Sequence, residues 1–456
     1  MMRILFVLMF AVMLNSCRPG NQNTAGKEDS SSVSLITVDP GHFHAALVQK
    51  QMYANVSPDV HVYAPEGPDL ALHLERIESY NKRAENPASW NEVVYTGPDF
   101  FEKMLQEKKG NVVVLSGNNM KKAEYITRSV EAGLNVLADK PMIIDNNDFD
   151  GLVAAFSTAA GRGVLLYDIM TERYEVTTIL QKMLSMKPDV FGTLTKGSEN
   201  DPAVTKFSVH HFSKLVSGVP LKRPAWFFDV EQQGEGIVDV TTHLVDLVQW
   251  ECFPEQILSP SDVHIVSARR WPTTVKKNEF TQITGYENYP EYLSKYTKGD
   301  DLNVYSNGEI TYSLKDVFAK ISVEWHVMPP AGGGDTHYSV MKGTQCDLMI
   351  RQGETENYVP TLYIENIKGD GHDFRKKLIS ALETLPYDSL AVSDAGKGIL
   401  RIDIPKKYRV THEDHFGQVT AKFLEYLKKG SLPEWEVPGM ITKYYTTTTA
   451  KEMAQK

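Results

Sequence analysis

Val112-Val113-Val114-Leu115-Ser116-Gly117-Asn118 opens a stretch that closes on Asn135-Val136-Leu137-Ala138-Asp139-Lys140-Pro141, and it sets the topology of the first half of the chain. Both apolar runs are too short for helices and stop at polar turns, so they read as buried strands. Between them Lys121 to Ala132 reads as a helix, with Gly133 placed to end it. Upstream, Ser34 to Val38 is an apolar, β-branched run that stops at Asp39-Pro40-Gly41. His44 to Met52 reads as helix and Val60 to Tyr63 as strand, stopped by Ala64-Pro65-Glu66-Gly67-Pro68. Phe149 to Ala160 is a further helix and Gly163 to Tyr167 a further strand. Continuous apolar strands alternating with helices predict a parallel sheet covered on both faces. Ligands of such sheets sit at the carboxyl ends of the strands, and Asp39, Gly117-Asn118 and Lys140 all fall there.

Beyond Tyr174 the texture changes. After a helix from Val176 to Met186, the runs Phe191–Lys196, Phe207–Phe212, Ile310–Tyr312, Lys320–Val327 and Cys346–Arg351 read as strands of an antiparallel sheet. Asn303–Gly308 and Gly332–Asp335 read as turns or loops, and His412–Lys429 as a helix followed by a last one. The expected architecture is an α/β Rossmann domain at 34–165 and an α+β domain at 166–456. The second domain carries a large, mostly antiparallel, open-faced sheet, and its C-terminal helices pack back on the first.

A chain of 456 residues exceeds one ordinary core. Its net charge of −10 argues against nucleic acid as a partner, because an acidic surface repels phosphate. Met1-Met2-Arg3 and the apolar run Ile4–Leu14 have the form of a signal peptide. Leu14-Asn15-Ser16-Cys17 resembles the lipobox of bacterial lipoproteins, which makes Cys17 the lipidation site and 1–17 the leader. Residues 18–33 then form a polar tether, and the protein is expected to be exported, held to a bacterial membrane by its lipid and facing the periplasm. Cys252 and Cys346 do not make a disulfide framework, and no Cys/His spacing suggests a zinc site, so no metal is expected.

Lys140, at the end of its strand between Asp139 and Pro141, is positioned to exchange a proton. Asp239 and His243 are four residues apart, on one face if helical, and feed into Leu244-Val245-Asp246-Leu247-Val248. Asp246, three residues after His243, is placed to orient the imidazole. Lys, Asp and His together suit proton transfer on and off a hydroxyl.

These residues resemble the glucose–fructose oxidoreductase / inositol dehydrogenase / MocA family. That family carries Glu-Lys-Pro after a Rossmann strand and Asp-x-Gly-x-His-x-x-Asp after a Gly-rich loop. Here Asp139-Lys140-Pro141 matches with Asp for Glu, and Asp239 to Asp246 matches with Thr241 for Gly. Pro224 to Asp229 is similar to the Trp-containing segment before the loop. The resemblance implies Lys140 and His243 as the acid/base pair, with Asp239 assisting. It implies NAD, with NADP less favoured, held by Asp39, Gly41, His42, Phe43, Glu66, Ser116, Gly117, Asn118, Asp139 and Lys140. Arg173, Tyr174, His210, Trp226, Asp229 and Asp246 are the candidate substrate contacts. One departure concerns the first turn, normally Gly-x-Gly-x-x-Gly, which is Asp39-Pro40-Gly41-His42-Phe43-His44. Pro40 has no N–H to donate, so phosphate would rely on the following helix N-terminus. His42 and His44 contact phosphate or pack, packing being favoured.

The implied activity is oxidation of a sugar, glycoside or polyol hydroxyl with tightly held cofactor, in a homo-oligomer. Two alternatives stand beside it. One is a glycosidase working through oxidation, elimination, hydration and reduction. The other is a non-catalytic carbohydrate-binding lipoprotein, motivated by the altered turn.

Overall fold

The computed structural model describes residues 33–216 and 218–456. The leader, Cys17 and the tether through residue 32 lie outside the described residues. No helix among the described residues is long and apolar enough to cross a membrane.

Six parallel strands form the first sheet: β1 (Leu35–Val38), β2 (Asp59–Ala64), β3 (Asn91–Thr96), β4 (Val112–Leu115), β5 (Asn135–Asp139) and β6 (Leu166–Ile169). Their order is β3-β2-β1-β4-β5-β6. It reverses between β1 and β4, which opens the ligand crevice of a doubly wound sheet at their carboxyl ends. β1, β4 and β6 are buried at every residue, as strands covered on both faces must be. β6 ends at Ile169, so the sheet runs past the expected boundary at 165. Gly163 caps the preceding helix in the left-handed region at φ 68° and is not part of the strand.

The second sheet has ten strands among the described residues and is mostly antiparallel. Its one parallel pairing joins Val317–His326 to Val204–His211. Two expectations fail here. Phe191–Lys196 is not a strand: Gly192 turns the chain at φ 76°, and Leu194 makes only an isolated bridge to Gly343. Asn303–Gly308 is not a loop but lies inside the strand Asp301–Leu314. Its polar side chains serve the sheet. Asn307 donates to the Trp271 carbonyl at 3.0 Å and accepts from the Trp325 N–H at 2.7 Å, beside a register shift.

The helices His412–Lys429 and Glu436–Gln455 return to the parallel sheet, where Phe416, Val419, Phe423, Met440 and Tyr444 join its core. The first helix after β1 is short. It spans only His44–Val48, not His44–Met52, and all five residues are buried.

Candidate active site

Lys140 sits directly after β5, and its Nζ is 2.5 Å from Asp239 Oδ1. The two side chains are 9% and 6% exposed. Burial alone would raise Asp239, but the Lys140 ammonium holds its carboxyl below the usual value. Gln233 Nε2 approaches the other carboxylate oxygen at 3.3 Å. The segment carrying Lys140 is clamped from below by a residue the sequence did not single out. Lys122 Nζ donates to the Asp139 carbonyl at 2.9 Å and the Pro141 carbonyl at 3.1 Å, and burial lowers its pKa to about 8.

Asp239 and His243 are not both helical, since the helix begins at Thr241. The chain before it is drawn tight against the second sheet: a Cβ on Gly236 would stand 1.7 Å from the Ser306 carbonyl oxygen. His243 is buried, and its Nδ1 finds no hydrogen-bond partner among the described residues. Burial first, and the Lys140 charge second, push its pKa down to about 3, so the imidazole is neutral near pH 7.

His243 forms part of the wall of a cleft of about 1040 Å³. Phe43, Glu172, His210, His337, His412 and His415 share that wall, whereas Lys140 and Asp239 are not in it. His210 Nε2 bonds the Ser208 hydroxyl at 3.0 Å, and His211 Nδ1 lies 3.0 Å from Asp335. His337 and His415 are each lowered to about 4, chiefly by burial. A concave site lined by imidazoles and carboxylates can exchange hydrogen bonds and protons with a polyhydroxylated ligand.

The first turn is a poorer cradle than the sequence suggested. Gly41 N–H donates to the Asp39 carbonyl, His42 N–H to the Ser116 carbonyl and Ala45 N–H to the His42 carbonyl, while His44 N–H points to His42 Nδ1. With Pro40 also in the turn, almost no amide is left for a pyrophosphate. The helix expected to offer its N-terminus is one short, buried turn. Trp226 covers the turn: a Cβ on Gly41 would meet its ring at 2.8 Å, and its indole N–H donates to Asp69 at 2.7 Å. Asp39 is raised to about 6 by burial and by Asp69. Asp39 takes φ 47°, and Gly117 lies against its carbonyl.

Other expected contacts are engaged elsewhere. Ser116 Oγ donates to Asp139, and Asn118 pairs with Gln232 at 2.7 Å. Asp139 is buried and turned toward His44. Phe43 is buried, and Glu66 stands exposed past the end of β2. Asp246 does not orient His243. It is held by Arg173 (Nε 2.6 Å, Nη2 2.7 Å) and by Lys443 at 2.9 Å. Arg173 bridges on to Glu436 at 2.9 Å, so both residues belong to a buried ion network, not to the cleft. Tyr174 packs on the core of the first sheet. Trp226 packs among Ala225, Phe227 and Phe228 and offers no open face for a sugar. Asp229 accepts from Glu231 N–H and Gln232 Nε2, closing its own loop.

A six-stranded parallel sheet joined to a large antiparallel sheet, with ionisable groups gathered at their seam, defines a two-domain protein of the dehydrogenase-like α/β class. The chain belongs to the family described as "putative oxidoreductase C terminal domain", which matches residues 180–455. A protein from Parabacteroides merdae with a similar description is 56% identical; the match covers 93% of this chain and 98% of that one, with a TM-score of 0.91. More distant solved structures share the fold. GenD2 from gentamicin A biosynthesis, in complex with NAD, is 15% identical over 93% of this chain and 94% of its own, with a TM-score of 0.56. KijD10, a 3-ketoreductase from Actinomadura kijaniata in complex with NADP and TDP-benzene, is 13% identical over 92% and 96%, with a TM-score of 0.53. No curated protein matches the chain.

Proposed function

We propose that this protein is an oxidoreductase of the glucose–fructose oxidoreductase / inositol dehydrogenase / MocA type, acting on a hydroxyl or carbonyl carbon of a sugar or polyol bound in the His243 cleft. The observation that carries the reading is the buried Lys140–Asp239 pair directly after β5, whose Lys140 charge reaches His243 in the wall of the adjoining cleft. Lys140, fixed by Asp239, and His243 form the acid/base pair that exchanges the hydroxyl proton, and the Lys140 charge steadies the oxygen as negative charge develops on it. Lys122 keeps the Lys140 segment in place through its two carbonyl contacts.

The redox partner that best suits this fold is a nicotinamide dinucleotide, which exchanges hydride with the substrate carbon when bound. Two residues past strand ends support the reading, the exposed Glu66 after β2 and Lys140 after β5. The first turn does not fit, because its amides are spent and the Trp226 indole N–H above Gly41 already donates to Asp69, so pyrophosphate contacts would come from other side chains. The same spent amides favour a second reading, a carbohydrate-binding protein without cofactor. Export and lipid anchoring at Cys17 rest on the sequence alone.

Turnover of a panel of sugars, polyols and glycosides with added NAD or NADP tests the activity. A keto product that appears with reduced nicotinamide is expected. Monosaccharide released from a glycoside with no net reduction would instead assign the glycosidase outcome. Binding of sugars with no turnover of any of them would contradict the enzyme reading.

A further inference from the structure

The turn that fails as a phosphate cradle gathers a different set of donors. His42 and His44 alternate along the chain after β1, and Asp139 ends β5, two strands away in the sheet. Among the described residues these three place one donor atom each within 4.8 Å of one another. His42 Nδ1 stands 3.4 Å and His44 Nδ1 2.9 Å from the same oxygen, Asp139 Oδ2. Two ligands at 2.0–2.1 Å from a tetrahedral zinc ion stand roughly 3.3 Å apart. The His42–Asp139 spacing already has that value, and the His44–Asp139 contact needs to open by less than about half an ångström.

The setting is that of a built site. The Asp139 side chain is 5% exposed and His44 9%, while His42 at 13% leaves a way in. Ser116 Oγ donates to Asp139 Oδ2 at 3.0 Å, the supporting hydrogen bond that orients a ligating carboxylate. Lys122 fixes the Asp139 backbone. Lys140 and Arg223 bring positive charge near His42, which Asp139 and Asp239 oppose.

We propose that His42, His44 and Asp139 form a three-ligand site for a divalent transition metal, zinc above all, with a fourth position open to an oxygen ligand. Two imidazoles and a carboxylate suit zinc and its borderline neighbours and do not suit magnesium or calcium, which take oxygen sets. The site adjoins Lys140 and the first turn of the proposed dinucleotide crevice, and its test does not read activity.

The experiment is a titration of the full-length protein, stripped by chelator, with Zn2+ and separately with Co2+. One equivalent per chain is expected, with the visible absorption of tetrahedral Co2+ and no thiolate charge-transfer band, which sets Cys17, Cys252 and Cys346 aside. His42→Gln and His44→Gln should each weaken binding by more than about 100-fold, beyond the effect of losing a supporting residue, and Ser116→Ala by less. Should His44→Gln fail to fold, His42→Gln carries the test, because its imidazole is partly exposed. No uptake of Co2+, or the same affinity in His42→Gln as in the parent protein, would reduce the cluster to a hydrogen-bonded brace and overturn the proposal.

Discussion

Burial keeps the imidazole of His243 neutral, with a pKa near 3, and its buried Nδ1 finds no hydrogen-bond partner among the described residues. So low a pKa makes it a weak proton acceptor, and its share of the rate should lie at the low end of the roughly 10²–10⁴-fold range of acid–base catalysis. His243→Gln is therefore expected to lower kcat by no more than about 10²-fold with the folded structure retained, as checked by steady-state kinetics beside circular dichroism. His337 and His415 carry a different consequence. Both sit near 4 in the folded protein, so each binds a proton more readily when unfolded. Their contribution to stability is intact above about pH 6.5 and is lost as pH falls toward 4, by up to about 3 kcal/mol each. Thermal denaturation from pH 8 to 4 should show that loss, and His337→Gln should flatten it; an unchanged profile would contradict the burial argument. Lys140, Asp239 and His243 were legible in the sequence because each lies in a short local motif. Lys122 was not, since its two carbonyl partners come from a strand end 17 and 19 residues on. The meeting of His42, His44 and Asp139 depends on the pairing of β1 and β5 with β4, and a His-x-His after a strand was its only trace.

The helix Thr241–Cys252 carries His243 and is buried nearly throughout. It is held by charges: Asp246 bonds Arg173 and Lys443, Lys443 lies 2.7 Å from Asp168, and Arg173 reaches Glu436. Removing one member leaves buried charge uncompensated. Arg173→Met should cost about 3–5 kcal/mol in urea denaturation with KM little changed. A raised KM at unchanged stability would return Arg173 to the substrate contacts. At the first turn, Gly41→Ala would force the Trp226 ring to shift and should destabilise by about 1–3 kcal/mol, read as a lower Tm. Strand reading succeeded where the pattern was continuous and apolar, as in β1, β4 and β5. It failed at β3, whose Asn91–Thr96 run is largely exposed at the sheet edge, and at Val263–Lys276, whose length and register shifts hide its alternation. It failed at Asn303–Gly308 because polar residues there satisfy a sheet, not solvent.

At the scale of the molecule, the two sheets and the returning C-terminal helices bring residues from distant segments to one cleft: Phe43 from the first turn, His243 from the buried helix, and His412 and His415 from the helix His412–Lys429, with the charge of Lys140 after β5 reaching His243. The doubly wound half was readable from alternating strand and helix. The cleft was not, because it depends on how segments far apart in sequence pack. Whether that cleft serves hydride chemistry turns on one group. The most direct test is to denature the purified protein and assay the released small molecules for NAD(H) and NADP(H) by mass. Near-stoichiometric dinucleotide, or tight binding when it is added back, is the predicted result and would mean that side chains do the work of the missing amides. No dinucleotide, together with no binding on addition, would contradict the oxidoreductase reading and leave a carbohydrate-binding protein on a dehydrogenase fold.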